Sequence, residues 1–293
     1  RRPGRPLHRP VGGVVEGARV RLFVMLVTLL LLTGCTAPVE DPVASRSVGA
    51  PQKTVTGTVS VDGRDRTFRV STPAGFHRGR QWPVVFAFHG WRESAETMEQ
   101  VSGLDSVNAI VVYPEGVEQA WAPAPYAATS GEEDLGFARV LLDHVRDEYP
   151  VDGSRIFATG FSNGGGFAAY LGCHLPETFH AVAPVGAAYY EAIHLGCTTE
   201  PVARLDIHGT DDRTIHYYGG TRHGERYEPV PVVLDRVAEN NGCTRSTMTR
   251  RSQDVIVQHW QGCRLPLVHV RVGGGAHVWP KEATAELRAF FGV

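Results

Sequence analysis

The sequence predicts an α/β fold, one domain in which a mostly parallel central sheet lies between two layers of helices. Three observations carry this expectation. The runs Pro83–Phe88 and Ala109–Tyr113 are continuously apolar rather than alternating, as strands covered on both faces are. Segments with helical spacing stand between the strand-like runs, so strand and helix alternate along the chain. And the strand-like run Arg155–Ala158 leads through a glycine-rich turn directly into a helix-compatible segment, Phe167–Leu171. The 293 residues have room for one large domain or two small ones, but no internal repeat, coiled coil or second domain is visible.

Before the domain, residues 1–34 read as a signal peptide. Arg19 and Arg21 precede Leu22–Leu32, which is apolar except for Thr28, and Leu32-Thr33-Gly34-Cys35 follows. Small residues ahead of a cysteine resemble a bacterial lipoprotein signal, with Cys35 as the lipidation site and first residue of the mature chain. The apolar run is short for a bilayer span. A plain secretory signal with an incidental cysteine is the alternative. Residues 1–18 do not resemble a signal and lack an initiating Met, which predicts an over-extended reading frame with translation starting near Val20. Residues 35–52, rich in Pro, Ala, Ser and Val, read as a lipidated tether. The membrane is thus an expected partner and the outer face of the cell membrane, or the exterior, the expected location.

The formal charge of −2 conceals an asymmetry. Residues 1–34 hold six Arg and one Glu, and residues 35–293 hold 23 basic and 30 acidic groups, a balance of −7. No basic stripe survives there, which argues against nucleic acid as a partner. Beyond Cys35 the cysteines are Cys173, Cys197, Cys243 and Cys263. An even number in an exported chain suggests two disulfides with three possible connectivities, of which the sequence-local pairs 173–197 and 243–263 are favoured. None lies in a C-x-x-C or has His at ligand spacing, so no metal site is expected.

Folded sequence is expected from residue 53 to 293. Val55–Val61 and Thr67–Ser71 alternate in period two around Asp62-Gly63, a hairpin signal. The strands at 83–88 and 109–113 follow. Glu132–Glu148 has helical spacing through Leu135, Ala138, Leu141, Leu142 and Val145, with Ser130 placed to cap it. After the 155–158 strand come strands at Ala181–Val185 and Arg204–Ile207, and a helix at Val232–Asn240 closed by Asn241-Gly242. Residues 247–261 read as a hairpin region, Leu267–Val272 as a strand and Lys281–Phe291 as the last helix.

The glycine-rich turn is Gly160-Phe161-Ser162-Asn163-Gly164, a G-x-S-x-G between strand and helix. That context suits a nucleophile elbow, in which the serine takes a strained conformation and glycines occupy the places where side chains would collide. The matching acid belongs after a later strand, and the histidine near the C-terminus. Leu205-Asp206-Ile207-His208-Gly209-Thr210-Asp211-Asp212 supplies the acids. Asp206 lies inside the strand and reads as structural. Asp212 is preferred to Asp211, although spacing alone does not separate them. His277, after Gly273-Gly274-Gly275-Ala276, is the expected base. His208, His216, His223, His259 and His269 read as strand, hairpin or surface residues. The expected oxyanion donors are the backbone N–H groups of Asn163 and, after the 83–88 strand, of Trp91 in His89-Gly90-Trp91. Of the loop tryptophans Trp91, Trp121, Trp260 and Trp279, Trp121 and Trp279 are the expected substrate contacts. Asp134-Leu135-Gly136-Phe137 reads as helix capping and packing.

Taken together, these residues resemble the LpqC-type family of secreted esterases, which includes polyhydroxybutyrate depolymerase-like proteins and the feruloyl and acetylxylan esterases of the first carbohydrate esterase family. The matching pieces are F-H-G-W at 88–91, Y-P-E-G at 113–116, D-L-G-F at 134–137, G-F-S-N-G-G at 160–165, A-V-A-P-V at 181–185, H-G-T-D-D at 208–212, N-G-C at 241–243 and G-G-G-A-H-V-W-P at 273–280. The resemblance implies an α/β-hydrolase fold, the roles of nucleophile, acid and base for Ser162, Asp212 and His277, and local cysteine pairs. One departure is Ala276, standing where the family usually has histidine directly after the glycines; a shifted loop that keeps the base is expected. Polymer-degrading relatives often carry a separate substrate-binding domain, and the end of this chain soon after the last helix argues against attack on solid granules. The function expected is a serine ester hydrolase with a covalent acyl-enzyme and no cofactor. It would act as a monomer on small or oligomeric esters (hydroxyalkanoate, feruloyl or acetyl), with an acyltransferase as a variant of the same chemistry. The alternative from another class is a surface binding lipoprotein that keeps the fold without turnover.

Overall fold

The computed structural model describes residues 53–293; the expected signal peptide, Cys35 and the tether lie outside the described residues. The first half contains β1 (Lys53–Val61), β2 (Arg64–Thr72), β3 (Trp82–Phe88), α1 (Ala95–Ser102), β4 (Ile110–Pro114), α2 (Gly131–Glu148), β5 (Val151–Phe161) and α3 (Asn163–His174). The second contains β6 (Ala181–Val185), β7 (Ala203–Gly209), β8 (Gly220–Arg222), β9 (Glu225–Tyr227), α4 (Val230–Asn240), β10 (Arg245–Arg250), β11 (Val255–Gln261), β12 (Leu267–Val272) and α5 (Ala283–Phe291).

Ten strands form one sheet in the order β1-β2-β4-β3-β5-β6-β7-β12-β11-β10. The middle six, from β4 to β12, pair in parallel, and antiparallel strands extend the sheet at both edges. Burial on both faces explains the unbroken apolar runs. In β3, Val84, Phe86 and Phe88 enter the core shared with α2, α3 and α4, while Val85 and Ala87 enter the core on the opposite face with Met98 of α1 and Leu287 of α5. The result is the three-layer sandwich expected from the alternation of strand and helix.

Local chemistry accounts for the element ends. Asp62 and Gly63 turn β1 into β2 with φ of 50° and 79°, the doubly positive geometry of a tight hairpin. Ser130 caps α2 by accepting the Glu133 N–H, and the Glu133 carboxylate returns a bond to the Ser130 N–H. Two elements depart from the expectation. Helix α1 was not foreseen, because Ala95 and Met98 are its only buried apolar residues and leave little periodicity to read. The β8–β9 hairpin lies in a stretch that reads as polar loop, since strands of three residues carry almost no alternation. Disulfides Cys173–Cys197 and Cys243–Cys263 are the two sequence-local pairs.

Candidate active site

Strand β5 ends at Phe161, α3 begins at Asn163, and Ser162 lies between them at φ 54°, ψ −112°. A non-glycine residue holds this conformation only where its surroundings impose it. Here the Ser162 N–H donates to the Val185 carbonyl at 2.9 Å, and the Ser162 carbonyl accepts from the Gly166 N–H at 3.0 Å and the Ala188 N–H at 3.3 Å. The turn also requires its glycines. A Cβ on Gly160 would lie 2.3 Å from the Gly164 carbonyl oxygen, and one on Gly164 would lie 2.2 Å from that of Phe88.

The ends of β7 and β12 bring the other two groups to the serine. The Thr210 hydroxyl accepts the Gly274 N–H at 2.9 Å and the Asp211 N–H donates to the Gly275 carbonyl at 3.0 Å, which joins the two loops. His277 Nε2 lies 2.9 Å from Ser162 Oγ, and His277 Nδ1 lies 2.6 Å from Asp212 Oδ2. A carboxylate only accepts, so Nδ1 carries the proton and the Nε2 lone pair faces the serine hydroxyl. Ala276 is exposed, so the loop carries its additional residue on the outside while His277 still faces Ser162.

Asp211 and Asp212 part company here. The Asp211 side chain is 59% exposed and faces Arg213, whereas that of Asp212 is 1% exposed. Asp212 Oδ1 accepts the N–H groups of Thr214 and Ile215 at 2.8 and 2.7 Å; Oδ2 receives His277 and, at 3.3 Å, Nε2 of buried His208. Burial pushes the Asp212 carboxyl up, but the hydrogen bonds from His208, His277 and the Ile215 N–H outweigh it and leave it well below the usual carboxylate range. The contact with His208 was missed because the sequence reading treated that residue as a strand end. Its nearness to Asp212, four residues on, was the available signal. Asp206 is a buried structural acid, bonded to Arg204 at 2.9 Å and to the Tyr189 hydroxyl.

Asn163 opens α3, where N–H groups have no partner within the helix. The end of β3 lies against this turn, since the Phe88 and His89 carbonyl oxygens are the atoms a Gly164 Cβ would strike. Around Trp91, the Gly90 N–H donates to Glu93 at 2.9 Å and the Arg92 N–H to the Gln119 carbonyl at 2.9 Å. His89 bridges this loop to the next one. Its Nδ1–H donates to the Gly90 carbonyl at 2.8 Å and its Nε2 accepts the Gly116 N–H at 3.0 Å.

Trp121 corrects the expectation of a substrate contact, for it is fully buried. Its ring stacks on Phe167 at 5.2 Å, its Nε1–H donates to the His89 carbonyl, and its backbone N–H and C=O pair with the Asn163 side chain at 2.8 and 2.9 Å. An aromatic residue with a polar edge served inside the core offers a ligand nothing. Trp121 instead braces the β3–α1 loop against α3. Trp279 is half-buried, with its Nε1–H on Thr284 at 3.0 Å and its ring on the core shared with α1 and α5. Trp260 packs against the opposite core. Asp134 is buried, and it binds Arg66 at 3.0 Å, the Ala122 N–H and the Thr129 hydroxyl, a packing role as expected.

Aromatic side chains from three separate loops gather beyond the ends of β3, β4 and β7. Trp91, Tyr126 and His223, the last at the tip of the β8–β9 hairpin, have ring centroids 4.6–4.8 Å apart. Tyr126 continues to Tyr190 and Tyr190 to Tyr227, each at 6.2 Å.

Known proteins are similar to this chain in sequence and in fold. The Esterase family model, described as "Putative esterase", matches residues 60–192. "Putative esterase NocK" of Nocardia uniformis is 33% identical over 271 residues, which cover 82% of this chain and 77% of that protein. Feruloyl esterase C of Emericella nidulans is 26% identical over 267 residues, covering 87% of this chain and 91% of that one. Among solved structures, an acetyl xylan esterase from Aspergillus awamori has the same fold, with a TM-score of 0.60 at 15% identity over 81% of this chain and 99% of its own. The chain therefore belongs to the esterase family, with an α/β-hydrolase fold, and is a serine carboxylic ester hydrolase.

Proposed function

We propose that Ser162 is the nucleophile, His277 the general base and acid, and Asp212 the group that orients His277, in an exported esterase acting on feruloyl or acetyl esters. The observation that carries this reading is the unbroken series from Ser162 Oγ through both ring nitrogens of His277 to Asp212 Oδ2, at 2.9 and 2.6 Å. In the reaction, Ser162 Oγ bonds to the ester carbonyl carbon as His277 Nε2 takes its proton. The carbonyl oxygen becomes an oxyanion held by the N–H groups of Trp91 and Asn163. Collapse breaks the bond to the alcohol oxygen, which leaves with the proton from His277. Water then repeats the sequence on the acyl-enzyme, releasing the acid and restoring Ser162. Asp212, with four hydrogen bonds, stays ionised and stabilises the imidazolium that forms in each half.

The curated relatives named feruloyl esterases favour feruloyl esters over hydroxyalkanoate oligomers, which the resemblance to polyhydroxybutyrate depolymerase-like proteins also admits. Trp279 remains a candidate contact. The signal and Cys35 support a lipid-anchored enzyme on the outer face of the cell membrane, or a secreted one, and the two disulfides accord with export. The test is labelling of purified protein with a fluorophosphonate probe beside hydrolysis of 4-nitrophenyl acetate, methyl ferulate, acetylated xylan and a 3-hydroxybutyrate trimer. Ser162→Ala is expected to lose labelling and all turnover; labelling that persists in the variant would overturn the assignment. Cys35→Ala is expected to release the enzyme from membranes, and retention would remove the anchor.

A further inference from the structure

The chain that leaves Asp212 does not end its work at the acid. It folds into the β8–β9 hairpin, whose base is tied near the serine: the Tyr227 hydroxyl accepts the His216 N–H at 3.0 Å, and Tyr227 pairs with Tyr190, two residues beyond the Ala188 N–H that holds the Ser162 carbonyl. Its tip reaches the β3–α1 loop. The acid loop follows β7 and Trp91 follows β3, three strand positions away in the sheet. At about 4.8 Å per strand, the hairpin and its contacts bridge about 14 Å beside the carboxyl end of β5, where Ser162 stands.

Two guanidinium groups accompany the rings at this bridge. Arg92 lies over the Trp91 ring at 4.5 Å. Arg222 precedes His223 and acts on Tyr126 and Tyr190, while burial, the larger influence, raises both phenols. The His223 imidazole is pushed down first by partial desolvation and then by Arg222 and Arg92. Of the neighbouring carboxylates, Glu93 accepts the Gly90 N–H, Glu228 is held by Arg236 at 2.5 and 2.7 Å, and Glu225 stands opposite Arg222 in the hairpin register without an ion pair to it. Among the described residues, neither Arg92 nor Arg222 has an ion-pair partner. The backbone is strained at the same place: Arg92, Gln119 and His223 have φ of 63°, 57° and 55°. Residues held in this left-handed region cluster at ligand clamps.

We propose that Trp91, Tyr126 and His223, with Arg92 and Arg222, form a subsite for an anionic group of the substrate, so that esters bearing a carboxylate are preferred over their neutral counterparts. The rings exclude water from one side of the ligand, which strengthens its attraction to the guanidiniums, and the planar forks of arginine suit a carboxylate. This rests on Ser162 being the nucleophile, because the hairpin crosses the sheet beside the end of β5 that carries that residue.

The test compares matched esters at low ionic strength. With the charge on the alcohol portion, the pair is 4-acetoxybenzoate and methyl 4-acetoxybenzoate. With the charge on the acyl portion, it is 4-nitrophenyl hydrogen suberate and 4-nitrophenyl methyl suberate. In at least one pair, kcat/KM should favour the anion about tenfold, and the preference should shrink in 0.5 M salt. Arg92→Gln and Arg222→Gln should each lower the anion-to-neutral ratio three- to tenfold, Arg222→Glu should invert it, and Arg222→Lys should keep most of it. Because the readout is a ratio, partial loss of folded enzyme does not affect it. No preference in either pair, or ratios unmoved by Arg92→Gln, Arg222→Gln and Arg222→Glu, would overturn the subsite. Turnover of both members by Ser162→Ala would instead refute the catalytic reading.

Discussion

Asp211 and Asp212 are adjacent and chemically identical, yet one is solvated and the other holds four hydrogen bonds. A one-residue step along an irregular loop turns the side chain to the other side, and no spacing rule contains that rotation. Asp212→Asn is expected to lower kcat about 10³- to 10⁴-fold by stabilising the wrong His277 tautomer, while Asp211→Asn stays within about twofold. Comparable losses in both would place the acid elsewhere. His208 extends the argument. Its Nε2–H is shared between the Ile215 carbonyl at 3.0 Å and Asp212 at 3.3 Å, so it fixes the loop as well as the carboxylate. His208→Leu is expected to lower kcat about tenfold with little change in KM, and an equal loss in KM would indicate a displaced loop instead.

At the scale of elements, the β3–α1 loop shows how a buried polar side chain positions backbone. His89 is wholly buried and must be neutral, because one ring nitrogen donates to Gly90 while the other accepts from Gly116. Burial moves its pKa down from 6.5 to about 4, with the Gly90 carbonyl opposing. The unfolded chain therefore binds a proton between these values when the folded chain does not, and stability falls as pH drops from about 6.5 to about 4. The full effect is on the order of 3 kcal/mol at 1.36 kcal/mol per unit. Thermal unfolding from pH 8 to 4 should show the decline, and His89→Gln should flatten it; an unchanged slope in the variant would assign the decline to other groups. These hydrogen bonds make His89 a loop-fixing residue. The sequence reading misjudged Trp121, because position in a loop is visible in sequence and burial of that loop under α2 and α3 is not. Helix α1 and the β8–β9 hairpin escaped for a related reason, since elements with few buried residues leave no period to detect.

For the molecule as a whole, the two disulfides close spans of 24 and 20 residues on the side of the sheet that carries α3 and α4. By loop-closure entropy each contributes about 3 kcal/mol. Reduction, or the pair Cys243→Ser and Cys263→Ser, should lower Tm by several degrees with the fold retained, as followed by circular dichroism; superimposable melts of oxidised and reduced protein would contradict this. What the sequence determined by itself was whatever depends on contiguous residues: strands buried on both faces, the helix cap at Ser130 and the glycines of the elbow. Tertiary structure decided which aspartate faces His277 across 65 residues, that Ser162 meets His277 across 115, that Trp121 is core, and that a hairpin after the acid loop ends on Trp91. The physical reason is the same throughout. Periodicity and turn chemistry record how a segment meets one surface, whereas a site at the carboxyl ends of β3, β5, β7 and β12 depends on where separate loops stop, and that is set by the packing between them.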